Sequence, residues 1–234
     1  MGNKPARGLF ITGTDTDVGK TRVAAMIARA LVDAGHRVGV YKPVASGCRR
    51  EGSGLVSDDA LGLWEAAGQP GELDDVCPQR FEAAVAPHIA ARAAGQSIDE
   101  DLLAGGLARW TNQCDIVLVE GAGGLMSPLS NELYNADLAL AIGYPLIVVS
   151  LNTLGTINHT LQTLITAATF REGLEIAGVV LNEARPNPTD ASRTTNRQEL
   201  EQRCVPPVLA SVAFGATEFE PQVDWSILAD TCQH

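Results

Sequence analysis

The chain has 234 residues, of which 45% are hydrophobic and 19% charged, and its formal net charge is −11. That size and apolar content suit one sizeable core, and with no Pro/Gly/Ser-rich linker the expectation is a single domain over residues 1–234. The acidic balance argues against nucleic acid or an anionic membrane as partner, so an anionic ligand needs a local cationic site.

In chain order, apolar β-type runs alternate with helical patterns. "GLFIT" (8–12) reads as a strand and leads through a loop into the helix "KTRVAAMIARALVDAG", where Val23, Ile27, Ala30 and Leu31 recur at helical spacing and Gly35 closes the helix. "RVGVYKPV" (37–44) follows as a strand and "DDALGLWEAAG" (58–68) as a short helix. Ser97 to Glu100 form a capping-box pattern before "DLLAGGLARW". Then come strand "DIVLVEG", helix "NADLALAIG", strand "PLIVVSL" and a long helix from about Thr156 to Glu172. Its apolar face is expected to hold Ile157, Leu161, Leu164, Ile165 and Ala168. Strand "IAGVVLN", a polar helix over 189–203 and a last strand near "PVLASVAF" complete the series. Continuous apolar strands separated by helices predict an α/β fold with a mostly parallel sheet covered on both faces. In such sheets ligands bind at the carboxyl ends of the strands.

The five cysteines, Cys48, Cys77, Cys114, Cys204 and Cys232, are odd in number and lack C-x-x-C spacing, which fits free thiols in a reducing compartment. "MGNKPARG" has no apolar signal-peptide core, and no run of about 18 apolar residues follows, so a cytoplasmic location is expected. Lysine is confined to Lys4, Lys20 and Lys42, against fourteen arginines. Lys20 and Lys42 each follow an apolar run, where a compact ammonium suits phosphate or carboxylate.

"TGTDTDVGKT" (12–21) lies between a strand and a helix, the setting a phosphate-binding loop requires, although Gly13 stands one residue early for the usual pattern. Backbone N–H groups and the helix start would hold phosphates, Lys20 would reach the outer ones, and the Thr21 hydroxyl would ligate Mg²⁺. Glu120, at the tip of "VLVEGAGG", can serve a hard cation, though a solvated turn glutamate is the plainer alternative. Asp58 and Asp59 open a helix, where aspartate is an ordinary cap. Lys42, ahead of Pro43, could neutralise charge that develops in phosphoryl transfer. The helix start at "GTINHT" offers N–H groups to an anion, while His159 and His88 read as packed or capping residues.

"TGTDTDVGKT", "VYKPVASG", "SDDAL", "APHIAA", "LVEGAGGLMSPL" and "GTINHT" stand in the order and spacing of dethiobiotin synthetases, and the chain resembles that family from about residue 9 to residue 183. The longer loop is the form this family uses. The resemblance implies a P-loop NTPase-type fold and an ATP- and Mg²⁺-dependent enzyme that converts 7,8-diaminononanoate and CO₂ to dethiobiotin through a carbamate and a carbamic–phosphoric anhydride. It implies a nucleotide loop of Gly13, Thr14, Asp15, Thr16, Asp17, Val18, Gly19, Lys20 and Thr21, metal ligation by Thr21, Asp59 and Glu120, and adenine contact by Asn182. Asp58 is the alternative to Asp59. Lys20, Lys42, Thr16 and Ser46 would serve catalysis, with Glu120, Gly121, Gly123 and Pro128 completing the substrate side. The family's homodimer implies that Thr156, Ile157 and Asn158 reach the substrate of the neighbouring subunit.

Asp17 stands where many members carry glutamate, and "ASVAFG" lacks the proline common before the base-binding turn, which predicts looser base selectivity than strict ATP use. An amidase-type ligase sharing this loop style needs a glutaminase cysteine, which has no convincing histidine partner here. A partner-switching ATPase of the ParA and MinD kind carries a second lysine early in the loop, where this chain has only Lys20.

Overall fold

The computed structural model describes residues 7–230 except 112 and 188. The sheet is built from the apolar runs. β1 (Arg7–Gly13), with Leu9, Phe10 and Ile11 fully buried, feeds the glycine-containing loop and α1 (Lys20–Asp33). α1 turns Val23, Ala24, Ile27, Ala28 and Leu31 inward. β2 (Val38–Tyr41) ends sooner than the sequence pattern suggests. Pro43 cannot donate to a ladder, and the Lys42 N–H leaves the sheet to bond Val76 O at 2.8 Å. The chain resumes in the two-residue β3 (Val44–Ala45), the hairpin β4 (Arg49–Glu51) and β5 (Gly54–Val56), and α2 (Asp58–Ala66). α3 (Leu73–Val76), β6 (Gln79–Arg80), which pairs with β3, and α4 (Pro87–Ala93) carry it across one face.

α5 (Glu100–Gly105) starts from Asp99, whose carboxylate accepts the Leu102 N–H at 3.0 Å. The expected capping box at Ser97 is not used, because Gln79 holds both the N–H and the carbonyl of Asp99 and sets the helix start there. A 3₁₀ turn (Gly106–Arg109) leads to β7 (Ile116–Glu120), then α6 (Asn135–Ile142), β8 (Leu146–Leu151) and α7 (Thr156–Thr169). β9 (Ile176–Asn182) follows. The expected polar helix over 189–203 splits into a 3₁₀ turn (Ala191–Thr194) and α8 (Asn196–Glu201), before β10 (Val208–Val212) and the short α9 (Trp225–Leu228).

The six long strands pair in parallel in the order β10-β9-β8-β1-β7-β2, with β1 at the centre between β7 (Phe10 opposite Val119) and β8 (Phe10 opposite Leu146). All carboxyl ends therefore share one edge, and the loop after β1, Lys42, Glu120 and Asn182 stand along it.

α7 departs from its apolar pattern. Its inward residues are Thr156, Thr160, Thr163, Leu164 and Ala167, whereas Ile165 is 63% exposed and Ala168 is exposed. The hydroxyls of Thr156 and Thr160 bond Ser150 Oγ at 2.7 and 2.8 Å, so buried polar groups satisfy one another against β8 and the threonine stripe faces in. α7 also stops at Thr169, because Phe170 is extended and the Leu174 N–H turns back to Ala167 O. Among the described residues, Cys48, Cys77, Cys114 and Cys204 are free; Cys232 lies outside them. No helix among them is long and apolar enough to cross a membrane.

Candidate active site

The loop after β1 is pinned before it meets any ligand. The Thr14 N–H bonds Val149 O at 3.0 Å, and Asp15 Oδ1 takes the Thr16 N–H at 2.7 Å. Asp17 has φ 58 and Gly19 φ 91, which turn the loop back on itself. At Gly19 no other residue fits, since a Cβ would lie 2.0 Å from Asn182 Nδ2. α1 starts without a side-chain cap, so its first N–H groups are available to an anion. Lys20, the first residue of α1, is 7% exposed, and its Nζ donates to Asp15 O at 3.2 Å. It is thus less open than a ligand-facing lysine suggests. Burial lowers its pKa, Glu120 opposes that shift and Lys42 adds to it, so a bound polyanion would relieve an under-compensated ammonium.

Beside it lies a knot of charge in which Lys42 and Glu120 are buried and Asp59 is half exposed. Lys42, 4% exposed, puts Nζ 2.7 Å from Glu120 Oε1 and 2.9 Å from Asp59 Oδ2. Burial alone would lower the Lys42 pKa, but the Glu120 and Asp59 carboxylates outweigh it and raise it above the ordinary lysine range. Lys42 is therefore a fixed cation, not a base. Burial pushes the Asp59 pKa up, but Lys42 first and the Thr21 hydroxyl after it pull it down on balance. The capping role that aspartate could have filled belongs to Ser57, whose Oγ accepts the Ala60 N–H, and this leaves Asp59 free for the knot. Asp58 points elsewhere and pairs with Arg49 at 2.8 Å.

Thr21 Oγ1 donates to Glu120 Oε1 at 2.8 Å, while Glu120 Oε2 is buried without a hydrogen-bond partner. A buried unpaired carboxylate oxygen beside a hydroxyl and a second carboxylate is an oxygen-only donor set, the kind a hard divalent cation takes. Among the described residues no group of three or more His, Cys, Asp or Glu could hold a metal. A cation here would complete its shell from phosphate oxygens and water.

These side chains line one cleft of about 740 Å³, together with Thr16, Asp17, Gly19, Ser46, Gly123 and Pro128. Ala84 to Pro87 form its far wall, a contribution the sequence reading did not extract from the alanine-rich stretch around "APHIAA". The same reading missed Asn135, at the start of α6. Its Oδ1 accepts the Ala122 N–H at 3.1 Å, and its Nδ2 donates to the carbonyls of Ala122 and Gly124 at 2.5 and 2.9 Å. That amide fixes the glycine loop after β7. Gly121 packs on it, where a Cβ would lie 2.7 Å from Asn135 Oδ1.

Gly13, Thr14, Asp15 and Val18 shape the loop from behind and do not line this cleft. Neither does Asn182, which is fully buried, with Nδ2 donating to Val18 O at 2.8 Å and Oδ1 accepting from Arg22 Nη1 at 3.2 Å. Thr156, Ile157 and Asn158 also stand apart from it, at the uncapped start of α7, which follows Gly155 at φ 95. Thr156 is buried, Ile157 half-buried and Asn158 exposed. His159 is exposed, not packed, and His88 is half-buried.

A family model described as an AAA domain matches residues 7–217. The ATP-dependent dethiobiotin synthetase BioD of Rhodopirellula baltica is 42% identical over 214 residues, which cover 87% of this chain and 82% of that protein. The protein of the same name from Anaeromyxobacter dehalogenans is 42% identical over 202 residues (83% and 88%), and that from Anoxybacillus flavithermus 36% over 221 residues (94% and 97%). The chain belongs to the dethiobiotin synthetase family. Among solved structures, the signal recognition particle receptor FtsY of Elizabethkingia anophelis aligns with a TM-score of 0.52 at 14% identity, over 97% of this chain and 65% of the receptor chain. At that identity, and with less than two thirds of the receptor's length spanned, the likeness shows the parallel α/β fold and nothing of the chemistry.

Proposed function

We propose that the chain is a cytoplasmic enzyme that carboxylates and cyclises 7,8-diaminononanoate with CO₂ and ATP, giving dethiobiotin, ADP and phosphate. The carrying observation is that Lys20, Thr21, Lys42, Asp59 and Glu120 meet in one cleft that continues past Ser46 and Gly123, with room for a second substrate beside a phosphate cradle. One amine adds CO₂ and loses a proton, forming a carbamate. A carbamate oxygen attacks the γ-phosphorus and ADP departs. The second amine then attacks the carbamoyl carbon, loses a proton, closes the ring and expels phosphate.

In this sequence of steps the chain positions charge and excludes water. The N–H groups of residues 17–21 and the α1 start hold the β-phosphate region. Lys20 and Lys42 face the oxygens on which negative charge accumulates, and Lys42 arrives pre-oriented by two carboxylates. Thr16 and Ser46 offer hydroxyls to the cleft, and Glu120, Gly123 and Pro128 would border the diamine, with Gly121 behind them against Asn135. Thr21, Asp59 and Glu120 would hold Mg²⁺, which supplies charge neutralisation on the phosphates when bound. The orphaned Glu120 Oε2 supports that assignment.

A homodimer completes the site in this reading. Leu154, 80% exposed just before α7, and Ile165, exposed farther along the helix, are apolar groups that burial against a second copy would cover. The N–H groups of residues 157 and 158 would then meet the substrate carboxylate of the partner subunit, the Thr156 N–H being held by Thr153 O. The free cysteines support a reducing compartment. Phosphate release with and without 7,8-diaminononanoate and bicarbonate tests the proposal. Release that needs both supports it, and hydrolysis indifferent to both would remove it. Stimulation by DNA or a membrane would favour the partner-switching alternative.

A further inference from the structure

Two lysines and three carboxylates line the cleft, namely Lys20, Lys42, Asp17, Asp59 and Glu120. Lys42 spends its donors on the residues that would hold a metal. Its Nζ donates to Glu120 Oε1 at 2.7 Å and lies 2.9 Å from Asp59 Oδ2. Glu120 Oε1 also accepts the Thr21 hydroxyl, so one oxygen of that carboxylate serves two donors. The other, Oε2, is buried without a hydrogen-bond partner. Lys42 is held in this position. It is buried, Val76 O accepts its backbone N–H at 2.8 Å, and Pro43 stiffens the chain just after it.

A dication offered alone to these groups meets an ammonium on both of its anionic ligands. Affinity for a hard cation rises with the carboxylate charge left for it, and here Lys42 has already neutralised part of that charge. Burial sharpens the effect, because water and salt screen like charges poorly in a closed site. Phosphate oxygens change the balance. A di- or triphosphate brings enough negative charge to hold the dication and both lysines together, and it adds ligands that Thr21 and Glu120 Oε2 cannot supply alone. Without the Lys42 ammonium, Asp59 and Glu120 would be two neighbouring carboxylates with no shared cation, a pair that draws a dication with no nucleotide present.

We infer that Lys42 closes the metal site to free divalent cations, so that the metal enters only together with nucleotide phosphates. The inference rests on the reading of the cleft as a Mg²⁺-nucleotide site and is independent of the diamine. Mn²⁺, a hard cation that suits the same oxygen ligands, is the probe, and loss of its free-ion electron paramagnetic resonance signal reports binding without turnover. The unaltered full-length protein should take up Mn²⁺ weakly by itself, and with ADP it should take it up more tightly than ADP alone does. Lys42→Met should bind one Mn²⁺ per chain without nucleotide, at least about tenfold more tightly than the unaltered protein. Glu120→Gln in the same chain should cancel that gain, which places the ion at this carboxylate. A merely structural lysine would leave metal affinity unmoved. Equal affinity of the nucleotide-free unaltered and folded Lys42→Met proteins overturns the inference, as does a gain that survives Glu120→Gln. Should Lys42→Met not fold, Lys42→Gln carries the same comparison. Should neither fold, the unaltered protein decides: uptake as tight without ADP as with it overturns the inference, and uptake that needs ADP supports it. If the unaltered protein takes up no Mn²⁺ beyond what ADP itself binds, the metal reading of the cleft falls, and this inference with it. Phosphate release indifferent to the diamine, with the Mn²⁺ results as expected, would remove the substrate assignment alone.

Discussion

At the scale of single residues, burial decides what each charge can do. Lys20 is a cation whose burial is poorly compensated, so removing it should spare the fold and cost the ligand contact. Lys20→Ala is expected to lose measurable turnover while its melting temperature stays near that of the unaltered protein. Retention of most activity would end the phosphate assignment. Glu120 differs, because it is 1% exposed and paired with a 4% exposed lysine. Breaking a buried pair strands the other charge at a cost of about 3–5 kcal/mol, softened here by Asp59. Glu120→Gln should therefore lower stability and raise the Mg²⁺ requirement together. Asp59→Asn should mainly raise the Mg²⁺ requirement. Asp58→Asn should do neither, since its exposed pair with Arg49 is of the class worth about 0–1 kcal/mol. Magnesium titrations unchanged in both of the first two variants would exclude them from the metal.

The pH dependence of the knot follows from the two directions of shift. The Lys42 pKa is raised, so its contribution to stability is complete below the unfolded value of about 10.4 and is lost as pH rises through the folded value. The Asp59 pKa is lowered, so its contribution is present above about 3.9 and is lost as pH falls through the folded value. The melting-temperature gap between the unaltered protein and Asp59→Asn should be widest on the neutral plateau and should shrink below about pH 4. A gap that does not move with pH would mean that the ion pair contributes nothing.

At the scale of elements, short connections bring the site together, and a single amide governs one of them. Asn135 closes the loop between β7 and α6 through three bonds to residues 122 and 124. Asn135→Ala leaves those backbone groups without partners, at about 1–3 kcal/mol for each one that water cannot reach. The expected result is a lower melting temperature and a raised KM for the diamine, with a smaller change in KM for ATP. Equal effects on both substrates would make the residue structural only. α7 carries an element-scale lesson about patterning. Its apolar residues predicted an inward face of Ile165 and Ala168, yet hydroxyl pairing with Ser150 turned the threonines inward. Hydrophobic periodicity cannot register that compensation, because it scores threonine as polar whether or not its hydroxyl is satisfied.

At the scale of the whole molecule, the proposed dimer predicts complementation. Thr156 is buried among hydroxyls and is a poor place for a new charge, whereas Asn158 is exposed in the first turn of α7. Asn158→Asp should repel a substrate carboxylate held there, and Lys42→Ala should damage the site of its own subunit. In a mixed dimer of the two variants one site carries both lesions and the other carries neither. With free exchange half the dimers are mixed, so about a quarter of wild-type activity should return on mixing two nearly inactive proteins. No recovery, with exchange demonstrated independently, would mean that each site is built within one subunit.

The order of strands and helices, the phosphate loop and the family were legible in the sequence, because apolar runs, glycine positions and the "GKT" ending are local signals that survive without coordinates. Lys42 and Glu120 stood out for the same reason, as a scarce lysine and a carboxylate at strand tips. Only the tertiary structure could show that Asp59, and not Asp58, meets Lys42, since that depends on which carboxylate faces Lys42 across 16 residues of intervening chain once Ser57 has taken the cap. Only it could reveal Arg22, whose partners lie some 160 to 194 positions away in sequence. Contacts of that range arise from strand order in the sheet. β9 joins the edge of β8 and β10 the edge of β9, and neither adjacency is written in any local pattern.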